Sequence, residues 1–429
     1  MTTHIHQTDY LIVGSGAVGM AFADILLTES DANIVIVDRF HKPGDHWNEA
    51  YPFVTLHQPS SFYGVSSREL SKGCIAQVGL NKGLNELASG VEVCAYFDDV
   101  IREQFLPTGR VKYFPMCDYK GEGKFVSSLT GETHQVKVNK KTVDATYLNT
   151  TVPSTHTPNF SIAADIQFMP LNDLPKVTQP PAGYVVIGGG KTGIDAILWL
   201  LEKDVNPDDI QWVMPRDAWL IDRKNTQPSE EFFADAIEDQ ASQMEIEALR
   251  KVKNMVRLGR VTSIENNQIV LEQGTIPTST EHLHIDCSAS ALTNLTIKPI
   301  FDGDVITPQT VRSYQPVFSA AFIAHIELAY PEQAKNKICN VVRLPNTLID
   351  WLRLTAAFMM NQYIWSQDEN LRKWLLGNRL DGFSQLMRSV KEDDIEKQAI
   401  VKRLRANAQP AMGKLQQYLA QVQAQEKAV

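Results

Sequence analysis

With 429 residues, 43% of them apolar and 21% charged, the chain has the composition of an ordinary globular protein long enough for two or three domains. A net charge of −9 without any basic cluster argues against a nucleic-acid binder and against attachment to an anionic membrane surface. No apolar run reaches the length of a membrane span, since the greasiest stretch, Pro316 to Ala329, carries His325 and Glu327.

The start, Met1-Thr2-Thr3-His4-Ile5-His6, lacks the positive region and apolar run of a secretory signal. The five cysteines (Cys74, Cys94, Cys117, Cys287 and Cys339) are scattered, with no C-x-x-C. That spacing disfavours a disulfide framework and a redox dithiol, so a reduced, cytoplasmic protein without a metal site is expected.

The first predicted strand covers 9–13, with the apolar run Tyr10-Leu11-Ile12-Val13. It leads into Gly14-Ser15-Gly16-Ala17-Val18-Gly19 and a helix over 17–28. In a strand–turn–helix context this G-x-G-x-x-G pattern is a dinucleotide fingerprint. Its first glycine allows the tight turn, the second lets backbone approach a pyrophosphate, and the third lets helix pack on strand. The phosphates then face free N–H groups and the positive end of the helix dipole. A second strand, Asn33 to Val37, ends at Asp38 and Arg39, roughly 24 positions past Gly14, near the spacing at which a carboxylate takes ribose hydroxyls. A solvated strand-end aspartate is the alternative.

A helix is expected near 92–105. From Val111 to Tyr147 short strands with turns at Gly121-Glu122-Gly123 and Thr130-Gly131-Glu132 suggest an antiparallel excursion from the first domain. A proline-rich crossing leads to Tyr184-Val185-Val186-Ile187 and a second fingerprint, Gly188-Gly189-Gly190-Lys191-Thr192-Gly193. A helix to Glu202 and a strand over Ile210 to Met214 follow. Lys191 reads as a solvent-facing cation near the pyrophosphate. At the second strand's end, where an NAD site places a carboxylate, stand Pro215 and Arg216. A guanidinium there suits a 2′-phosphate, so NADPH is favoured over NADH, with Arg223 and Lys224 as helpers and a plain surface arginine as the alternative.

Residues 229–255 suggest a helical insertion, and Arg260–Ile264 and Gln268–Leu271 suggest strands. His284 to Ala289 is expected to rejoin the first sheet, and helices dominate from Asn346 onward. The fold class expected is α/β, with two Rossmann-like dinucleotide-binding domains, an antiparallel β excursion and a C-terminal helical region. The boundaries are 1–165 for the first part of the first domain, 166–275 for the second, 276–345 for the return, and 346–429 for the helical region.

Gly44-Asp45-His46-Trp47, Tyr51-Pro52, Leu56-His57-Gln58-Pro59-Ser60 and Tyr63-Gly64 resemble the segment after the ribose-binding acid in flavin-containing and Baeyer–Villiger monooxygenases. Those enzymes carry G-G-x-W, then Y-P, then P-S. The resemblance covers roughly 8–295 and implies FAD, held tightly without a covalent bond, at the first turn and NADPH at the second. It implies reduction of the flavin by hydride, then a C4a-(hydro)peroxide that inserts one oxygen atom of O2 into a small organic substrate. The chain departs from the pattern at Asp45, which replaces the second glycine. It lacks the F-x-G-x-x-x-H-x-x-x-W/P fingerprint and reads Leu148-Asn149-Thr150 and Cys287-Ser288-Ala289 in place of A-T-G. Hydride transfer without oxygen insertion, and a catalytically silent nucleotide sensor, are the alternatives.

His57 stands where the Baeyer–Villiger relatives have an Asp. It is the candidate proton donor or acceptor, or else a loop histidine. Gln58 is a candidate partner for the flavin edge, and His46 and Trp47 are expected to line the ring. His156 is a linker histidine or a vestige of the missing fingerprint. Thr347 and Asp350 have the form of a capping box, which would aim a helix start at a reduced flavin or serve only the helix. Trp351, Leu352, Phe358, Met359, Tyr363 and Trp365 either wall a cavity or form core.

If Arg216 holds the 2′-phosphate, Arg216→Ala should raise the Michaelis constant for NADPH by the equivalent of about 1.5–3 kcal/mol, typical of a hydrogen bond to a charged group. NADH should be affected much less. Steady-state kinetics with both nucleotides check this, and equal losses would remove Arg216 from the site.

Overall fold

Each glycine turn lies at the end of a strand in the middle of a parallel sheet. The computed structural model describes residues 3–148, 150–215, 243–289, 295–312, 315–345, 348–382 and 390–426. The first unit begins with β1 (Thr3–Val13), α1 (Ala17–Glu29) and β2 (Ile34–Val37). A hairpin of β3 (Gly64–Val65) and β4 (Arg68–Glu69) precedes α2 (Gly90–Asp99). Then come β5 (Val111–Phe114), β6 (Cys117–Gly121), β7 (Lys124–Ser127) and β8 (Thr133–Asp144). β8, β1, β2 and β5 are parallel neighbours in that order. Ile34 to Val37 are all buried, the continuous apolar run expected of a parallel strand covered on both faces. The antiparallel excursion is smaller than predicted, because Val111–Phe114 pairs parallel with β2 and only β6 and β7 turn back against β8.

The second unit contains β9 (Ser161–Ile162), β10 (Gln167–Pro170), β11 (Gly183–Ile187), α3 (Lys191–Glu202) and β12 (Ile210–Val213). It continues through α4 (Gln243–Leu249), β13 (Asn254–Val256), β14 (Val261–Ile264), β15 (Gln268–Leu271), β16 (Gly274–Pro277) and β17 (His282–Asp286). Its main sheet runs β10-β17-β11-β12-β13, all parallel, and β14 to β16 form a meander that takes β9 at its edge. Two expectations are corrected here. Asn254–Val256, placed in the helical insertion, is a strand on the edge of β12. The strand from His284 does not rejoin the first sheet, since Leu283 pairs with Tyr184 of β11 and with Gln167 of β10.

The return is made instead by β18 (Phe301–Asp302) and β19 (Val305–Ile306), with Val305 and Ile306 beside Thr142 and Val143 of β8. The chain ends in α5 (Pro316–Ala329), α6 (Glu332–Ile338), α7 (Leu348–Ser366), α8 (Glu369–Gly377) and α9 (Ile395–Glu426). α1 and α5 pack on each other, and both are apolar nearly all round, as buried helices must be. No helix among the described residues is long and apolar enough to cross a membrane.

After α8 the chain returns to the first unit. The Arg379 guanidinium donates to the carbonyls of Ser61 (2.7 Å), Tyr63 (2.9 Å), Val65 (2.5 Å) and Arg68 (2.7 Å), pinning the loop around β3. Arg312, only 3% exposed, pairs with the fully buried Asp381 and lies 4.2 Å over the Phe318 ring. Removing one partner strands the other charge in the core. Asp381→Ala should therefore cost about 3–5 kcal/mol, the range for breaking a buried pair. Chemical denaturation of the variant against wild type reads this, and a loss under 1 kcal/mol, roughly that of an exposed pair, would show that Arg312 finds another partner.

Candidate functional site

The first turn is built from its own polar groups. Gly14 donates to the Val37 carbonyl at 2.8 Å, stitching the end of β1 to β2. The backbone N–H and hydroxyl of Ser15 both donate to Asp38 Oδ2, the hydroxyl at 2.6 Å, and Phe40 N–H donates to Asp38 Oδ1 at 2.7 Å. Asp38 is 4% exposed. Burial pushes its carboxyl above the usual range against those three hydrogen bonds, and the nearby charge of Asp45 adds to the rise. Asp38 thus stands at the end of β2 as the spacing predicts, with its carboxylate holding the turn.

A Cβ on Gly19 would lie 2.0 Å from the Gly14 carbonyl oxygen, so the third glycine is what lets α1 approach β1. Gly16 caps α1 with no side-chain bond, which leaves the N–H groups around Ala17 and Val18 for an anion. These features fit a dinucleotide diphosphate. One neighbour opposes it: the Cβ that Gly16 lacks would meet Asp45 Cβ at 2.7 Å.

The second turn repeats the plan. Gly188 donates to the Val213 carbonyl at 3.0 Å, and Trp212 Nε1 donates to the Gly188 carbonyl at 2.8 Å. A Cβ on Gly193 would lie 2.1 Å from Gly188 O, whereas one on Gly190 would meet nothing within 4 Å. The Gly190 face is open, α3 has no side-chain cap, and Thr192 sits half-buried in its first turn. Arg216, Arg223 and Lys224 lie outside the described residues.

Lys191 is not the solvent-facing cation that was expected. Its ammonium donates to Asp195 Oδ2 at 2.5 Å and to the Thr55 carbonyl at 2.9 Å, and it stands 3.4 Å from the Tyr51 hydroxyl. Tyr51 donates to the same Asp195 oxygen at 2.5 Å. Burial first, then the Asp195 charge, hold the phenol far above its ordinary range, so it remains a donor. Phe53 stacks on Trp199 of α3 at 5.4 Å. Residues 51–55 of the first unit are therefore docked on the helix that leaves the second turn. Asp195 was missed in the sequence, and Tyr51 was noted there only within the Tyr51-Pro52 motif, although Lys191 and Asp195 have the i,i+4 spacing of a helical ion pair.

Along this connection Trp47 Nε1 donates to the Tyr63 hydroxyl at 2.8 Å, and the Trp47 ring lies against Gly90. The His46 ring lies tilted against Trp47 with ring centres 5.2 Å apart. His57 is exposed and Gln58 half-buried. At the end of β17 the Ser288 hydroxyl donates to the buried Asp286 at 2.6 Å, and His156 Nε2 lies 3.4 Å from the same hydroxyl. His156 thus brings the crossing segment to the end of β17, an interior strand of the second sheet. Thr347 lies outside the described residues, and Asp350 accepts from Arg353 at 3.0 Å. Of the aromatic residues in α7, Trp365 is core at 1% exposed and Tyr363 points outward at 65%. Among the described residues no group of three His, Cys, Asp or Glu side chains could hold a metal ion.

No family model matches the chain. It is 44% identical over 424 residues to the uncharacterized protein Rv2000 of Mycobacterium tuberculosis (strain ATCC 25618 / H37Rv), covering 89% of this chain and 79% of that one. The uncharacterized protein Mb2023 of Mycobacterium bovis (strain ATCC BAA-935 / AF2122/97) matches to the same extent. The chain belongs to the family of these mycobacterial proteins. Among solved structures it is similar to a flavin-containing monooxygenase from Stenotrophomonas maltophilia, with 14% identity, TM-score 0.47, and coverage of 78% of this chain and 99% of that one. It is also similar to a bacillithiol disulfide reductase from Staphylococcus aureus, with 13% identity, TM-score 0.46, and coverage of 76% and 99%. An open structure of cyclohexanone monooxygenase gives 13% identity, TM-score 0.42, and coverage of 77% and 91%.

Lys191→Ala should loosen segment 51–58 by roughly 1–2 kcal/mol, the scale of a partly screened hydrogen bond to a charge. Amide hydrogen exchange should quicken there by about tenfold, while the later turns of α3 keep their protection. Unchanged exchange in 51–58 would show that Tyr51 and Phe53 hold the segment without the lysine.

Proposed function

We propose that the chain is an FAD- and NADPH-dependent oxidoreductase, a monooxygenase that places one atom of O2 in a small organic substrate. The observation that carries the reading is the pair of strand–glycine turn–helix units, each with an uncapped helix start at the end of a central parallel strand. Segment 51–55, docked on α3, links them. In this reading Gly14, Ser15, Gly16, Ala17, Val18 and Gly19 offer backbone to the FAD diphosphate. Asp38 and Arg39 flank the ribose, and His46 and Trp47 approach the ring system. Gly188, Gly190, Thr192 and Gly193 take the NADPH diphosphate, with Arg216 on the 2′-phosphate. Bound FAD supplies the capacity to take hydride from the nicotinamide and pass electrons to oxygen. His57 and Gln58 follow closely on the docked segment, His57 as the group to exchange a proton and Gln58 as a partner for the flavin edge.

The balance is substrate, NADPH, a proton and O2 giving oxygenated substrate, NADP+ and water. Hydride transfer without insertion is the second reading, and the exposure of His57 favours it, because oxygen insertion needs a site closed to water. Without insertion, NADPH, a proton and O2 give NADP+ and hydrogen peroxide.

NADPH consumed, O2 consumed and peroxide released, measured together across candidate substrates, separate these readings. A monooxygenase should show substrate-dependent loss of peroxide with O2 and NADPH kept at one to one. Peroxide equal to NADPH with every substrate would favour the second reading, and an FAD-supplemented protein that never oxidises NADPH would remove both.

A further inference from the structure

We propose that Asp45 is a selectivity residue of the first turn, its carboxylate standing in the place of a ligand phosphate, so that FAD is held weakly and exchanges freely. This rests on the reading that the first turn takes FAD. The placement is close: from the Cβ position that Gly16 leaves empty, Asp45 Cβ lies at 2.7 Å, Cγ at 3.4 Å and Oδ2 at 3.5 Å. The purpose of a glycine there is to let a diphosphate approach backbone. In this chain that approach is met by an anion.

The carboxylate is held there by its surroundings. Asp45 has φ +50°, an unusual conformation for a residue with a side chain, and follows Gly44 at φ +121°. Gly44 N–H donates to the Ser15 carbonyl at 3.1 Å, fastening the loop to the turn it covers. Asn48 Nδ2 donates to the carbonyls of Lys42 (3.2 Å) and Asp45 (3.1 Å). His46 Nδ1 lies 3.5 Å from Asp45 Oδ2. Burial alone would favour the neutral acid, but the hydrogen bond and charge of His46, with Arg39 beyond, bring the Asp45 carboxyl below its usual range.

The consequence is electrostatic. An uncapped helix start attracts an anion, and here a carboxylate stands beside the approach without a hydrogen bond to the helix start. A diphosphate must displace Asp45 or bind beside it, with Asp38 a second acid behind the turn. Among the described residues the second turn has no such neighbour, since nothing lies within 4 Å of the corresponding position at Gly190. The same fingerprint is therefore expected to bind a diphosphate readily at the second turn and reluctantly at the first.

Dissociation constants for FAD, ADP and riboflavin, measured by fluorescence and calorimetry on the full chain, test this. Wild type should be compared with Asp45→Gly and Asp45→Asn. Glycine accepts the positive φ without strain and asparagine tolerates it, so both variants should fold. Asp45→Gly should tighten FAD by at least about tenfold, and Asp45→Asn, which removes only the charge, should recover part of that. Added salt should narrow the gap between wild type and Asp45→Asn, and riboflavin, lacking phosphate, should bind all three alike. FAD affinity that ignores position 45, or that fails to improve in Asp45→Asn, overturns the proposal and leaves the FAD site standing. Failure of every form to bind FAD at any concentration tested, with NADPH still bound, would remove the FAD reading itself and this proposal with it.

Discussion

Both halves of this molecule depend on how closely a helix can approach the strand that precedes it. At Gly19 and Gly193 a single added carbon would lie 2.0 and 2.1 Å from the carbonyl oxygens of Gly14 and Gly188. No side chain fits in that space, so any other residue would push α1 or α3 off its sheet. The crossover from β1 to β2, and from β11 to β12, is then short enough for each second strand to pair directly beside the first. The helix starts are thereby brought to the ends of the central strands. Without that approach there is packing but no concentrated positive end for a phosphate to meet.

The two units are coupled by charge and by rings. Lys191 belongs to the second fingerprint, yet its ammonium donates to a carbonyl of the first unit and approaches a phenol there while also pairing with Asp195. Such a partly buried group is worth more than an exposed ion pair because water competes less for it. Phe53 on Trp199 adds apolar area to the same contact. The stretch that carries His57 and Gln58 leaves directly from this junction. On its far side, Arg379 clamps the carbonyls around β3 from the C-terminal segment. The loop that could bear chemistry is thus held at both ends by elements remote from it in sequence.

Those ties explain what was legible in the sequence. The strands around each fingerprint could be read because a parallel sheet covered on both faces leaves a continuous apolar run bounded by glycine, a local signal. Val111–Phe114 and Asn254–Val256 were misplaced because short strands lack such a run, and only pairing with β2 and β12 shows their role. His284 to Asp286 read as a strand correctly, but which sheet receives it depends on whether β8 or β11 offers a free edge, and no residue in the strand records that. In the site, the position of Asp38 at the end of β2 followed from spacing, whereas its bonds to Ser15 and Phe40 did not. The Tyr51–Asp195 contact joins residues 144 positions apart and had no local signature beyond the helical offset of Lys191 and Asp195.

A fingerprint specifies geometry more firmly than it specifies a ligand. The two turns share glycine placement, helix direction and an uncapped start, and would be called equivalent on those grounds. Their described surroundings differ. Asp38 bonds the first turn from behind and Asp45 covers it, two carboxylates beside one helix dipole. At the second turn Lys191, in the first turn of its helix, is turned toward Asp195, and no described residue lies within 4 Å of the Cβ position at Gly190. A helix dipole equivalent to about half a charge is small beside one ionised carboxylate, so the side chains around a turn bear on how it attracts an anion as much as the motif does.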